Sequence, residues 1–330
     1  MRIGILYNLV DKVESGKEID KLADNEVLQT ASAVKEALEK KGHAASLVRL
    51  NGRLEGLKKR FDFIFNLAEG IGGNHLAEPE IALSLKKAGI PFSGADDYAL
   101  ALCMDKARTK KLLQKHEIPT PEFQVFKNPD DKLKKKLGFP LIVKPAYEDG
   151  SIGIELDSVV RNDDELRHKV KEVLSTYNQP ALVERFIDGR EINVAIIGNR
   201  KNLYVLPLSE IMFDFPDNLP KIVSFKAKWV EDSMQYKGTV GKCPAEVPKH
   251  LHDKLAEAAK KAFKVTKCKD YARVDFRVKG DEIYALEVNP NPCINPNGAG
   301  FVRSAKAAGY AYDDMINKIL ELATSRKKAE

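Results

Sequence analysis

The chain has 330 residues, 43% hydrophobic and 31% charged, the balance of a soluble globular enzyme and too much chain for one small core. Its 54 Lys and Arg outnumber 48 Asp and Glu by only six, spread in helix-like runs such as Lys132-Leu-Lys-Lys-Lys136, which disfavours a nucleic-acid partner. The four cysteines (Cys103, Cys243, Cys268 and Cys293) lie far apart with no Cys-x-x-Cys pair, which argues against a zinc site or disulfide framework and for a reducing compartment.

Met1-Arg-Ile-Gly-Ile-Leu-Tyr7 is apolar for too few residues to be a secretory signal before Asp11, Lys12 and Glu14 appear. No run approaches the roughly 20 apolar residues that span a bilayer. A cytoplasmic protein with no membrane partner is expected. Residues 2–7 read as a strand, 25–41 as an amphipathic helix, 44–50 as a strand, 61–67 as a buried strand and 78–88 as a helix. Gly42 and Gly89 follow helix ends, where left-handed caps are expected. That alternation predicts an α/β domain built on an open, mostly parallel sheet. Ligands should approach the loops after its strands, including Asn66-Leu-Ala-Glu69-Gly70-Ile-Gly72-Gly73. No Gly-x-Gly-x-x-Gly follows the first strand, so dinucleotide binding is not supported.

A boundary falls near Pro91-Phe-Ser-Gly94, after which one helix is expected from about Tyr98 to His116, ending before Pro119 and Pro121. Strands near 122–126, 140–145 and 181–187, with helices near 130–137 and 163–176, make a small mixed domain. The remainder holds a long loop over 213–243, a hairpin, and helices near 248–266, 301–308 and 312–325.

Three segments carry chemistry. Phe139-Pro-Leu-Ile-Val-Lys144 is a buried strand ending in Lys, followed by a loop containing Gly150, Ser151 and Gly153. Such glycines let backbone N–H groups approach phosphate oxygens, and a Lys at the strand end neutralises them. Ala181-Leu-Val-Glu184-Arg-Phe-Ile187-Asp-Gly-Arg-Glu191 reads as strand, Asp188-Gly189 turn and strand, a linker between lobes. It offers an apolar slot with backbone hydrogen bonds for a purine edge and a carboxylate for vicinal hydroxyls. The third segment, Ala272 to Pro292, is a hairpin turning at Lys279-Gly-Asp281. Alternation puts Val274, Phe276, Val278, Tyr284, Leu286 and Val288 on its apolar face. Arg273, Asp275, Arg277, Glu287 and Asn289 take the other. With the turn centred near Asp281, Asp275 and Glu287 stand opposite one another, two carboxylates that want a cation between them. Hard oxygen donors without Cys or His suit magnesium; charge pairs to Arg273 and Arg277 are the plainer alternative.

In the order Lys106, Lys144 with its glycine loop, Glu184 and Glu191, Lys228, Arg273-x-Asp275 and Glu287-x-Asn289, the chain resembles the ATP-grasp ligases. The D-alanine–D-alanine ligase branch is the most similar, and the likeness covers nearly the whole chain. It implies three domains: a Rossmann-like N-terminal domain over 1–94, a central ATP-binding lid over 95–186 and a catalytic domain over 187–330. It also implies ATP and two magnesium ions, with manganese as a substitute. Lys106 and Lys144 would contact phosphates, Glu184, Arg185, Phe186 and Ile187 would frame adenine, and Glu191 would hold ribose. Asp275, Glu287 and Asn289 would bind metal, and Arg273 would stabilise a tetrahedral oxyanion. Lys228, in Phe225-Lys-Ala-Lys228-Trp229, belongs to a segment similar to the loop that closes over the site. The activity implied is ATP-dependent joining of a small carboxylate to an amine, both amino acids or short peptides, through an acyl phosphate. A true D-alanine–D-alanine ligase of cell-wall synthesis and a non-catalytic ATP sensor are the alternatives, and a homodimer is compatible with the likeness.

The departures concern the substrate pocket. The family links an N-terminal Glu, a Ser of the glycine loop and a Tyr of the closing loop around its substrates. Glu26 matches the first. The Ser position reads as Gly150 in an ungapped match, with Ser151 the adjacent serine carried into the catalytic set, and the Tyr position reads as Trp229. After Asn289, where the family has Gly-Met-Thr and then a Ser that meets the second carboxylate, the chain has Cys293-Ile-Asn-Pro-Asn-Gly298. Cys293 is not expected to be a nucleophile, since no His is nearby and the chemistry needs only backbone N–H there. His75 reads as a loop-capping residue.

Overall fold

The computed structural model describes residues 1–9, 16–20, 26–51, 54, 56–71 and 74–326. Asp24 and Asn25 before Glu26, Gly72 and Gly73, the His75 side chain and Lys327-Lys328 lie outside the described residues.

Strand β1 (Arg2–Tyr7) is buried over five of its six residues and pairs in parallel with β2 (Ala44–Arg49) and β3 (Phe63–Asn66), in the order β2-β1-β3. A strand covered on both faces reads as a continuous apolar run. The crossover helix Val27–Lys40 turns Val27, Ala31, Val34 and Leu38, spaced three and four apart, onto Ile3, Ile5, Phe63 and Phe65. Met315, Ile316, Ile319 and Leu320 of the last helix, Tyr312–Arg326, join the same core. The expected parallel sheet is therefore present, with the chain's C-terminal helix docked against it. Helix Glu78–Lys87 covers the other side through Ile81 and Leu85.

The single helix expected over Tyr98–His116 is two, Asp97–Met104 and Lys106–Lys115. Asp105 is extended (φ −80°, ψ 94°), and its carboxylate accepts from the Arg108 N–H at 2.9 Å, starting a new helix. The restart puts Lys106 and Lys110, four residues apart, on one buried face.

A second, antiparallel sheet has the order β4-β7-β5-β6: β4 (Phe123–Phe126), β5 (Leu141–Pro145), β6 (Val159–Val160) and β7 (Ala181–Arg185). Helix Asp163–Tyr177 covers it with Leu166, Val170 and Val173. No helix forms over 130–137. Asp131 instead accepts from the backbone N–H groups of Lys127 and Asn128, and the Gln124 amide holds the backbone of Lys132 and Lys134. Such side-chain bonds offer the backbone an alternative to helix.

The third sheet runs β11-β10-β8-β12-β13, with β9 against β8: β8 (Arg190–Asn199), β9 (Asn202–Val205), β10 (Ser209–Phe213), β11 (Thr239–Lys242), β12 (Tyr271–Lys279) and β13 (Glu282–Asn289). Helix Lys249–Val265 covers one face with Leu251, Leu255, Ala259 and Phe263. β7 and β8 belong to different sheets, so Asp188-Gly189 links two lobes. A Cβ on Gly189 would meet the Val278 carbonyl oxygen at 2.2 Å, which leaves only glycine at this crossing. The expected loop over 213–243 holds helices Phe225–Trp229 and Met234–Lys237, capped by Ser224 and Ser233, and then β11.

The hairpin has the expected register, Asp275 opposite Glu287 and Arg273 opposite Asn289. One expectation about its faces fails. A bulge at Asp275/Phe276 pairs Phe276 with Ala285 and leaves Leu286 as the extra residue. The apolar face of β13 is Ile283, Ala285 and Val288, while Tyr284 and Leu286 leave it. Among the described residues no helix is long and apolar enough to cross a membrane.

Candidate active site

A cavity of about 1090 Å³ lies where the three sheets meet, and its wall includes Glu26, Lys144, Gly150, Ser151, Glu184 to Ile187, Glu191, Lys228, Arg273, Asp275, Glu287 and Asn289. At one end, strand β5 delivers Lys144 and its neighbour β7 delivers Glu184. Lys144 Nζ stands 2.6 Å from Glu184 Oε1, and Lys110 Nζ stands 2.8 Å from Oε2 and 2.5 Å from Thr120 Oγ1. All three charged groups are buried. Burial favours a neutral Glu184, but Lys110 and then Lys144 outweigh it and hold the carboxyl below the usual range. Burial also pulls Lys110 down to about 8 against the attraction of Glu184. The Glu184 carboxylate expected at adenine is thus engaged by two lysines, while Arg185, Phe186 and Ile187 remain on the cavity wall. Lys110 escaped the sequence analysis; its four-residue spacing from Lys106 on a helix was the available signal.

Lys106 lies behind the wall. Its Nζ donates to the Glu148 carbonyl of the glycine loop, and burial lowers its pKa against the pull of Glu287. Glu287 is the focus of charge here. Burial would raise its carboxyl, yet Lys106, Lys144, Lys228 and Arg273 together hold it down to about 2. Across the hairpin, Arg273 Nε and Nη2 each donate to Asp275 at 2.7 Å, and Asn193 donates to Asp275 Oδ1 at 2.7 Å. Asn289 Nδ2 spans the two acids, 3.1 Å from Asp275 and 3.4 Å from Glu287. No group of three His, Cys, Asp or Glu side chains converges as a metal cage among the described residues. The two carboxylates, joined by the Asn289 oxygen once its amide turns over, would make a partial shell of hard oxygens. That fits magnesium, which takes few protein ligands and completes its shell with water and phosphate.

Glu191, expected at ribose, is paired with Arg277: Nη2 stands 2.9 Å from Oε2. Arg277 also donates to the carbonyls of Gly189 and Lys221, and its guanidinium lies 6.0 Å from the Phe186 ring centroid. Burial raises the Glu191 carboxyl despite Arg277. Arg277 was expected on the polar face as a charge-pair partner of the hairpin acids; its acid is instead Glu191 of the neighbouring strand, and its contacts tie that face to the lobe linker.

The closing segment is latched to the glycine loop. Trp229 Nε1 donates to the Gly150 carbonyl at 2.8 Å, Ser151 Oγ to the Val223 carbonyl at 2.8 Å, and Phe225 N–H to the Ile154 carbonyl at 2.7 Å. Ile152, Tyr177 and Phe225 pack beneath, against Trp229 and Val230. The two positions that depart from the family, Gly150 and Trp229, therefore still meet, through a backbone carbonyl. Trp229→Phe keeps an aromatic ring over Ile152, Tyr177 and Phe225 and removes this bond, a loss of about 0.5–1.5 kcal/mol for the bond alone. Hydrogen exchange should then accelerate over residues 225–237 with little change in global melting; unchanged exchange would show the latch lies elsewhere.

Glu26 reaches the cavity from the start of helix Val27–Lys40, its Oε2 3.9 Å from Cys293 Sγ. Burial raises the Glu26 carboxyl against Lys228. Cys293 opens onto the cavity but is otherwise enclosed, and that enclosure with Glu26 pushes its thiol up to about 12. A thiol so held is not a nucleophile.

Residues 112–321 match the family model described as the D-Ala D-Ala ligase C-terminus. An uncharacterised protein of Sinorhizobium fredii is 33% identical over 307 residues, covering 90% of this chain and 88% of its own. A D-alanine–D-alanine ligase of Carboxydothermus hydrogenoformans is 33% identical over 307 residues, covering 89% and 92%. The crystal structure of the Bacillus anthracis D-alanine–D-alanine ligase complexed with ATP superimposes with a TM-score of 0.77 at 26% identity, covering 100% of this chain and 99% of that one.

Proposed function

The chain belongs to the D-alanine–D-alanine ligase family of ATP-grasp enzymes, and from that membership we propose a division of labour among the residues of its cavity. The protein is an ATP-dependent carboxylate–amine ligase. The observation that carries the assignment is Glu287: a carboxylate paired across the hairpin with Asp275 and set among Lys106, Lys144, Lys228 and Arg273. With Glu184 and Asp275 counted as well, the cations Lys106, Lys110, Lys144, Lys228 and Arg273 still outnumber the acids, the field a triphosphate requires.

In this reading adenine lies against Phe186, Ile187 and Leu286, the last brought to the wall by the bulge in β13. Glu191, held by Arg277, faces the ribose. Lys144 lies along the phosphates, with Lys106 behind it holding the glycine loop by its Glu148 carbonyl. Asp275, Glu287 and Asn289 would hold magnesium, which when bound supplies counter-charge to the phosphate oxygens. The donor carboxylate attacks the γ-phosphorus; the bond to the β,γ-bridging oxygen breaks, giving acyl phosphate and ADP. Lys144 and Lys228 meet the charge on the transferring group. The amine then attacks the acyl carbon, and the tetrahedral intermediate collapses by breaking the C–O bond to phosphate, which leaves with the proton the amine gives up. Arg273, oriented by its two bonds to Asp275, faces the oxyanion. Glu26 and Ser151 bound the substrates, and the Trp229–Gly150 latch excludes water from an intermediate that would hydrolyse.

D-Alanine is expected to be a poor substrate. Gly150 and Trp229 lack the two hydroxyls by which the family links its substrates, and lost polar partners cost a small substrate orders of magnitude in kcat/KM. A different carboxylate or amine, larger or less polar at one end, should release phosphate much faster. An amino-acid panel followed by phosphate release, with mass analysis of the product, tests this; D-alanyl-D-alanine formed faster than every other product would refute it.

A further inference from the structure

Arg303 was not singled out by any motif, yet it stands in the cavity wall beside the loop that departs from the family. It lies in the first turn of helix Gly300–Ala307, whose N-terminus carries Ala299 and no side-chain cap. Its Nε donates to Ser209 Oγ at 3.2 Å and its Nη1 to the Gly298 carbonyl, both neutral acceptors. No carboxylate pairs with it, and Nη2 has no hydrogen-bond partner, among the described residues. The guanidinium rests on the backbone of Gly241: a Cβ there would come within 2.2 Å of its Cζ. Gly298, Ala299 and Gly300, all on the cavity wall, leave its approach free of side-chain bulk. Burial and then Arg273 lower the pKa of Arg303, against a weaker pull from Asp275, which is itself taken by Arg273. Among the described residues Lys110, Lys144, Arg273 and Arg277 each have a carboxylate within 3 Å; Arg303, on the cavity wall, has none.

A half-buried guanidinium with a free terminal nitrogen, at an uncapped helix N-terminus, is built to receive a carboxylate in bidentate or paired fashion. The donor carboxylate must reach the γ-phosphate and so belongs beside Lys228, Glu287 and Arg273. Arg303 lies beyond Arg273, away from the lysines, where an acid that does not react would sit. We propose that Arg303 is the residue of this chain that anchors the unreacting carboxylate of the amine substrate and so selects a free acid over its amide. This rests on the ligase reading above. It also accounts for the absence of the family's serine after Asn289: a guanidinium from the following helix takes over that task.

The test separates binding from turnover. Protein saturated with magnesium–ADP is titrated calorimetrically with a panel of α-amino acids and their α-amides. The expected result is preference of the wild type for the best acid over its amide by about 10- to 100-fold, abolished in Arg303→Met and partly kept in Arg303→Lys. Gly241→Ala, which displaces the guanidinium without removing its charge, should also lose the preference, and serves if Arg303→Met does not fold. In turnover, Arg303→Met should raise KM for the amine substrate by a similar factor and leave KM for ATP and for the donor carboxylate alone. Equal binding of acid and amide by the wild type, binding of no acid at all, or full acid preference in Arg303→Met would each overturn the proposal. Failure of the ligase reading would show separately, as an absence of ATP-dependent phosphate release with every substrate pair.

Discussion

Glu287→Gln is expected to cut ATP-dependent amide formation by about 10²–10³-fold or more while leaving the fold intact. The backbone of Glu287 is held by its pairing with Asp275 in the β12–β13 ladder, which the substitution does not touch. What is lost is the charge that four cations share and, in the proposed assignment, a magnesium ligand. Asp275→Asn should be equally inactive for a second reason: it removes the bidentate partner that orients Arg273, so phosphoryl transfer and oxyanion stabilisation fail together. Phosphate release at saturating ATP, beside far-UV circular dichroism of each variant, is the measurement. Near-normal turnover in either would return the hairpin to a structural set of charge pairs.

Glu184→Gln should be the most destabilising single change in the cavity, by about 3–5 kcal/mol, because it leaves Lys110 and Lys144 buried without their shared counter-charge. The pH dependence has a definite sign. The folded-state pKa of Glu184 lies below its ordinary value, so its contribution is complete above the unfolded pKa near 4.5 and is lost as pH falls through the folded value. The gap in melting temperature between wild type and Glu184→Gln should therefore be widest near neutrality and close in acid. Adding Lys110→Met to Glu184→Gln should recover part of the loss, since one uncompensated buried ammonium is removed. A single variant that melts with the wild type at pH 7 would show that water, not Glu184, satisfies the two lysines.

Much of the site was legible because its residues sit at strand ends and in turns whose spacing is local. Lys144 closes an apolar strand, Asp275 and Glu287 alternate on a hairpin of readable register, and Glu184 precedes a Gly189 turn where a Cβ would strike Val278. Their order along the chain was enough to indicate an ATP-grasp ligase. The misreadings have local causes as well. The Tyr98–His116 pattern is helical throughout, but the Asp105 carboxylate ends one helix by capping the next. Residues 130–137 have helical composition, but Asp131 and Gln124 bind the backbone instead. The bulge that turns Leu286 into the cavity is one extra residue, which alternation cannot register.

The sequence by itself determined the parallel first sheet, the hairpin with its opposed acids and the departure of Gly150, Trp229 and Cys293 to Gly298 from the family pattern, since each depends on periodicity or on neighbours in the chain. Only the tertiary structure decided which charges meet. Lys110 joins Glu184 across 74 residues of sequence, Arg277 takes Glu191, Trp229 finds the Gly150 carbonyl, and Arg303 is left facing the cavity without an acid. Such pairings follow from how three sheets close on one another, where burial makes every unmatched charge costly; no local pattern carries that information.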